Sequence, residues 1–100
     1  MSLSTHVLDT ARGEPAAGVR VTLQRDGVTV TEAVTDADGR VRDLGPMSAG
    51  RYRLVFDTAA YLGPDAFFPS VTVEFAVTVD RHYHVPLLLS PFGYSTYRGS

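Results

Sequence analysis

Three histidines and one arginine are the side chains of this sequence that could do chemistry. His82 and His84 are two residues apart in a segment of alternating polarity, so they lie on one side of a predicted strand. His6 lies in an N-terminal strand whose pattern leaves open whether it faces inward or outward. Arg40 directly follows a predicted turn at 36–39. Imidazoles titrate near neutral pH and a guanidinium is a permanently charged fork of donors, so the set could move protons and stabilise an oxyanion.

The same residues also allow simpler interpretations, which the pattern alone leaves open. Outward histidines are ordinarily solvated, and a single histidine near the N-terminus is ordinarily structural. Arg40 could pair with Asp38 or Asp43 in a weak surface salt bridge. Three imidazoles could bind zinc, but the sequence offers no partners to orient them, so no metal is expected. The acidic turn at 36–39 lacks the distal glutamate of a calcium loop.

Alternation of apolar and polar residues dominates the rest of the chain. It is clearest at 71–79 and recurs at 19–23 and 52–56, which predicts strands with one buried face. Turn signals separate these runs, among them Asp26-Gly27, a dipeptide favoured in tight hairpins. Only 57–62 is suited to a helix, of one or two turns. Short strands at this spacing predict an all-β fold, an antiparallel sandwich or barrel.

The segment around the paired histidines has its own pattern. Tyr83, Val85 and Leu87 alternate with the histidines and are expected in the core. Pro86 cannot donate to a strand ladder, which predicts an unpaired side or a bulge there. Outward histidines beside the apolar run at 87–89 indicate a surface that a second subunit covers.

Composition limits the classes of function. One hundred residues, 44% apolar and 20% charged, predict a single globular domain over 1–100. A net charge of −2 gives no electrostatic basis for binding nucleic acid or an acidic membrane. The absence of cysteine excludes disulfides and thiolate chemistry. Without a membrane-length apolar run or a signal-peptide pattern, the chain is expected to be cytoplasmic.

Several segments together resemble one known family. The tail from Tyr94 to Ser100 and the histidine-tyrosine-histidine stretch resemble the C-terminal signature of the 5-hydroxyisourate hydrolases, the transthyretin-related enzymes of purine degradation. The hormone carrier transthyretin shares the sandwich but not these two segments. The resemblance covers residues 3–9, 13–23, 35–36, 38–40, 82–91 and 94–100.

The resemblance implies a fold, an assembly and a set of site residues. The fold would be a transthyretin-like sandwich of about eight strands in two sheets, and four such chains would form a homotetramer with active sites between dimers. His6, Arg40, His84 and Ser100 would be catalytic, and His6, Arg40 and Tyr97 would bind substrate. His82 would be a supporting neighbour. The family uses no metal or organic cofactor.

The implied reaction is the hydrolysis of 5-hydroxyisourate, a small purine-derived molecule, to 2-oxo-4-hydroxy-4-carboxy-5-ureidoimidazoline in urate degradation. Water would attack a ring amide, which requires a base, a stabilised oxyanion and a proton for the departing nitrogen. The Ser100 hydroxyl or terminal carboxylate would orient a partner. The alternatives are a transthyretin-like carrier of a small apolar ligand and an adhesive sandwich module. Charged and imidazole groups in a ligand channel disfavour the carrier.

Overall fold

The computed structural model describes residues 1–100 and contains ten strand segments and one short helix. In chain order these are β1 (Ser2–Asp9), β2 (Glu14–Pro15), β3 (Arg20–Arg25), β4 (Val28–Val34), β5 (Arg40–Val41), β6 (Gly50–Phe56), α1 (Thr58–Leu62), β7 (Val71–Val77), β8 (His82–His84), β9 (Leu87–Ser90) and β10 (Gly93–Thr96). No helix is both long and apolar enough to cross a bilayer.

The strands form two sheets, as the alternating pattern predicts. A four-stranded sheet has the order β4-β3-β6-β7 and is antiparallel throughout. The other sheet has six strands, with β10-β9-β1-β2 in a row and β5 and β8 also paired with β1. In this second sheet β1 runs parallel to β8 and β9, a pairing that the sequence pattern did not predict.

The core lies between the two sheets and consists of eighteen buried apolar residues. Alternate residues of the inner strands supply it, because successive side chains of a strand point to opposite faces. In β6, for example, Tyr52, Leu54 and Phe56 are buried, as predicted, and Arg51 and Arg53 are exposed. Each sheet therefore presents one face to the core and the other outward.

Two local predictions are confirmed at a turn and at the helix. Asp26 and Gly27 connect β3 to β4 with positive φ angles of 53° and 76°, the conformation that a tight hairpin turn requires. The only helix, α1, begins after Asp57, whose carboxylate accepts a hydrogen bond from the Ala60 amide.

Pro86 interrupts the last long strand, as expected from its missing donor. The interruption separates β8 from β9, yet both keep the same register against β1. The structure has ten strand segments and not the expected eight or so. This break divides one strand into two, and the count also includes two segments of only two residues, β2 and β5.

A buried carboxylate anchors the end of β1 to the helix. Asp9 accepts hydrogen bonds from the Tyr61 hydroxyl at 2.8 Å and from the amides of Ala11 and Arg12. Burial alone would raise the pKa of Asp9, but these hydrogen bonds outweigh it and hold the pKa below the usual 3.8. The anchor fixes the far end of the strand that carries His6.

Candidate active site

Three strands of the six-stranded sheet place three of the predicted site residues, His6, Arg40 and His84, on one outward face. His6 of β1 is opposite Arg40 of β5 in an antiparallel pairing. Ser4 of β1 is opposite His84 of β8 in a parallel pairing. The inward residues of β1, such as Thr5, are buried, so the alternate residues between them face outward. The open question about His6 is thereby answered, because it faces away from the core.

The imidazole of His6 is held by a backbone carbonyl. Its Nε2 lies 2.8 Å from the carbonyl oxygen of Asp38. A carbonyl oxygen can only accept, so Nε2 of His6 donates this hydrogen bond. In the neutral imidazole the other nitrogen, Nδ1, then carries the lone pair. Nδ1 is therefore the nitrogen of His6 that remains available to accept a proton.

A rigid turn carries Arg40. The carboxylate of Asp36 accepts hydrogen bonds from the amides of Arg40 and Asp38. These bonds, the one from Arg40 foremost, hold the pKa of Asp36 below its usual value. Gly39 has a φ of 73°, and a Cβ there would collide with the Val7 carbonyl oxygen. The turn thus has little freedom, and it fixes the start of β5.

The guanidinium of Arg40 makes no salt bridge, although the sequence allowed a pairing with Asp38 or Asp43. Arg42 instead pairs with Asp38 at 3.3 Å and with Asp36 at 3.8 Å. Asp43 uses its carboxylate to accept from the Gly45 amide. The nearby acids are therefore engaged elsewhere, and the charge of Arg40 remains available to a ligand.

His84 is half-buried and bonded to a serine. Its Nδ1 lies 2.8 Å from the Ser4 hydroxyl, and its Nε2 makes no hydrogen bond within the chain. Burial lowers the pKa of His84 below 6.5, and electrostatic repulsion, chiefly from the guanidinium of Arg40, lowers it further. His84 is consequently neutral at physiological pH, the form that can accept a proton.

The C-terminal tail is fixed against His84. The Gly99 amide donates a hydrogen bond of 2.8 Å to the His84 carbonyl oxygen. Gly99 is buried, and a Cβ placed there would lie 2.6 Å from Cδ2 of the imidazole. Only glycine allows the tail to approach this closely. The approach brings Ser100 beside the imidazole.

These groups surround one cavity of about 360 Å³, which we call the polar cavity. Its lining consists of Ser4, Thr5, Arg40, Val41, Arg42, His82, His84 and Ser100. Two guanidinium groups, two imidazoles and three hydroxyls can bind a carbonyl-rich or anionic molecule and exchange protons with it. His6 lies next to this lining, paired with Arg40.

Tyr97 is placed elsewhere. It is 57% exposed and lines a second cavity, also of about 360 Å³, together with apolar residues such as Val73, Phe75 and Val85. We call this the apolar cavity. Within one chain, then, Tyr97 does not share the polar cavity with Arg40, and its predicted contact with substrate stays a prediction.

Comparison with known proteins places this site in a family. Residues 3–99 match the family model described as the HIUase/Transthyretin family. The chain belongs to the HIUase/transthyretin family. A 5-hydroxyisourate hydrolase of Deinococcus radiodurans is 50% identical, over 98% of this chain and 95% of the relative. The resemblance seen in the sequence is confirmed.

Solved structures of the family agree with the fold. The structure of Klebsiella pneumoniae 5-hydroxyisourate hydrolase superposes with a TM-score of 0.92 at 42% identity and covers 100% of both chains. Sea bream transthyretin, solved in complex with thyroxine, superposes with a TM-score of 0.88 at 35% identity, over 97% of this chain and 93% of that one. The predicted transthyretin-like all-β sandwich is therefore confirmed. Family members bind small molecules.

Sequence reasoning did not single out Ser4, which lies beside His82, the expected supporting neighbour. Both line the polar cavity, and the Ser4 hydroxyl lies 2.8 Å from a nitrogen of each histidine of the pair. A signal was present, since Ser4 lies two residues before His6 and therefore on the same face of its strand. No group of three histidine, aspartate or glutamate side chains is arranged to hold a metal ion.

Proposed function

We propose that this chain hydrolyses 5-hydroxyisourate to 2-oxo-4-hydroxy-4-carboxy-5-ureidoimidazoline, a step of urate degradation. It acts as a single transthyretin-like hydrolase domain over 1–100, and its relatives of about 50% identity are named 5-hydroxyisourate hydrolases. The observation that carries the proposal is the meeting of His84, Arg40 and Ser100 at one polar cavity, with His6 beside them. These groups supply the proton transfers and charge stabilisation that amide hydrolysis requires.

In our proposal His84 begins the reaction. Its lowered pKa keeps it neutral, and its free Nε2 takes a proton from the attacking water. The water oxygen bonds to the amide carbon, and the carbonyl oxygen becomes an oxyanion. The carbon–nitrogen bond then breaks, and His6 and His84 together return the proton to the departing nitrogen. The proton taken from water is thus returned within the cycle.

Arg40 has the second role. Its guanidinium has no acidic partner in the chain, so it can donate to the substrate carbonyl oxygens. When the oxyanion forms, the same donors bind a full negative charge and gain strength. The rigid turn before Arg40 means that little reorganisation is needed at that moment.

The tail completes the site in this proposal. The Ser100 hydroxyl lines the polar cavity and orients the water or a histidine. For Tyr97 we propose a backbone contact with substrate, since its ring lines the apolar cavity instead. Deleting 97–100 should abolish turnover and leave the melting transition nearly unchanged, because the tail contributes one buried residue, Gly99.

We further propose that four chains assemble into a homotetramer with the sites between dimers. Strands β7 and β10 are both edge strands, and exposed edges favour pairing with another chain. The outward histidine face would then line a channel that two dimers enclose. Closure of this channel would exclude bulk water from Arg40 and strengthen its hold on the oxyanion.

One observation favours a second function, the binding of a small apolar ligand. The apolar cavity is similar in volume to a ligand pocket, and sea bream transthyretin of the same family was solved with thyroxine. A carrier would hold its ligand in the apolar cavity and would not need His84 or Arg40.

Turnover of substrate separates the two functions. Ultraviolet absorbance of freshly generated 5-hydroxyisourate is followed with the substrate in large molar excess over the protein. An enzyme accelerates the decay of the whole pool, whereas a carrier changes at most one equivalent. His84→Asn is the matched control, and it should accelerate the decay of substrate about a hundredfold less, or not at all. Decay that the wild-type protein does not accelerate would contradict the proposed function.

A further inference from the structure

Four side chains beside the polar cavity form one hydrogen-bonded chain. The Ser2 hydroxyl lies 2.6 Å from Nδ1 of His82, whose Nε2 lies 2.8 Å from the Ser4 hydroxyl. The same hydroxyl lies 2.8 Å from Nδ1 of His84. Ser4 thus joins the two histidines, and the chain ends at His84, which lines the polar cavity and whose Nε2 makes no hydrogen bond within the chain. We call it the serine–histidine chain.

Strand register explains why these residues meet. In the parallel pairing of β1 with β8, Ser2 is opposite His82 and Ser4 is opposite His84. Successive outward positions of each strand are two residues apart, so serine and histidine alternate across the pair. The strand register therefore brings each serine close to its histidine, and no loop is needed to position either side chain.

When both imidazoles are neutral, counting the hydrogen-bond donors allows only two arrangements of the protons in the serine–histidine chain. A serine hydroxyl has one proton to donate, and a neutral imidazole has one N–H and one accepting nitrogen. If Ser4 donates to His84, then Nε2 of His84 carries the proton. If Ser4 donates to His82, then Nδ1 of His84 donates to Ser4, and Nε2 is left with its lone pair. The tautomers of His82 and His84 are therefore coupled through the Ser4 hydroxyl.

The charges around His84 favour the second arrangement. Arg40 of β5 and His84 line the same cavity, with Arg42 also in the lining. The other titratable groups that act on His84 are His6 of β1 and His82 of the same strand, β8. A permanent positive charge at the cavity disfavours the tautomer that carries its proton on Nε2. On the opposite side, Ser4 can accept a hydrogen bond.

We infer that Ser4 and His82 are positioning residues that hold His84 in the Nδ1–H tautomer, with an unprotonated Nε2 at the polar cavity. The role as part of the catalytic base rests on the proposed function. When Nε2 takes a proton from water, Nδ1 keeps its hydrogen bond to Ser4, so the imidazolium is stabilised without any side chain moving. The chain thereby prepares His84 for proton abstraction.

The tautomer can be measured without substrate. Side-chain nitrogen-15 NMR at pH 8 distinguishes a protonated from an unprotonated imidazole nitrogen, and His84 is assigned by comparison with His84→Asn. We expect the Nδ1–H form of His84 in the wild-type protein and in Ser4→Thr, which keeps the hydroxyl. In Ser4→Ala we expect a mixture of both forms. The Nε2–H form in the wild-type protein, or an unchanged spectrum in Ser4→Ala, would overturn the inference.

Kinetics give the second readout. Ser4→Ala should lower kcat about tenfold with KM within about twofold, since the lost contact acts on the base and not on substrate binding. His82→Phe should do the same, and Ser4→Thr should restore turnover. Ser70→Ala is the matched control, because Ser70 is exposed and lies outside the strands.

The two proposals fail in different ways. A wild-type protein with the expected tautomer but no turnover would contradict the proposed function and support the positioning of His84. An active wild-type protein whose Ser4→Ala variant keeps full activity would overturn the serine–histidine chain and leave the hydrolase function standing.

Discussion

Two cavities of about 360 Å³ lie on opposite sides of one strand, and one has a mainly polar lining whereas the other has a mainly apolar one. His82 and His84 of β8 line the polar cavity, whereas Tyr83 and the following Val85 line the apolar one. The C-terminal tail also divides between them, with Ser100 in the first and Tyr97 in the second. The volume of a cavity therefore does not indicate where hydrolysis occurs. In our proposal the oriented donors and imidazoles of the polar cavity make it the catalytic site.

The two linings indicate how one fold can serve both an enzyme and a carrier. A carrier site needs apolar area with few polar anchors. A hydrolytic site needs groups that are already oriented before substrate arrives. In our proposal three contacts meet the second requirement: His6 donates to the Asp38 carbonyl oxygen, the Ser4 hydroxyl bonds Nδ1 of His84, and the Gly99 amide donates to the His84 carbonyl oxygen.

The largest expected effect comes from removing an imidazole at the polar cavity. His84→Asn and His6→Asn should each lower kcat about a hundredfold or more, because each loses a proton-transfer group. The measurement is the initial rate of 5-hydroxyisourate decay, with circular dichroism to confirm folding. Near-normal rates in both variants would remove the acid–base assignment.

Arg40→Lys should have the next largest effect. The charge stays, but the planar fork that binds two oxygens is lost, so kcat should fall about thirtyfold. Arg53→Lys is the matched control, since Arg53 lies on the other sheet and only pairs with Glu74. Wild-type turnover by Arg40→Lys would mean that the guanidinium does not stabilise the oxyanion.

Gly99→Ala tests whether the tail positions His84. The added Cβ would lie 2.6 Å from the imidazole, so the ring or the tail must shift, and kcat should fall about tenfold. Gly93→Ala adds a Cβ that meets only the Ser90 hydroxyl at 3.7 Å, and it should leave kcat unchanged. Equal rates for the two variants would contradict the positioning role of the tail.

The pH profile should show a smaller effect. Burial and the nearby positive charges lower the pKa of His84 below 6.5, so the neutral base persists into mildly acidic solution. Between pH 7.5 and pH 6 the turnover number should fall less than about fourfold, and only at lower pH should it fall tenfold per unit. A midpoint of the acidic limb above 6.5 would indicate that another group is the base.

The sequence predicted a large part of this arrangement, and the reasons are local. Alternation alone placed His82 and His84 outward and Tyr83 inward, because the period of a strand is two residues. The Asp36–Gly39 turn and the Asp26-Gly27 hairpin followed from residues that tolerate positive φ. Such features depend on near neighbours in the chain.

What sequence reasoning missed depends on pairing between distant strands. The parallel register that sets Ser4 against His84 joins residues eighty positions apart, so no local pattern contains it. The placing of Tyr97 and Ser100 at different cavities of one chain is similar, since it depends on the pairing of Gly99 with His84. The resemblance names both as site residues, and the contact of Tyr97 with substrate stays a prediction.

The most direct test of the central claim compares one variant from each cavity in the same assay. The quantity is kcat/KM for 5-hydroxyisourate, measured for His84→Asn and for Tyr97→Phe. We expect a loss of about a hundredfold or more for His84→Asn and a change within about threefold for Tyr97→Phe. A severe loss in Tyr97→Phe, with His84→Asn nearly as active as the wild-type protein, would show that the polar cavity is not the catalytic site.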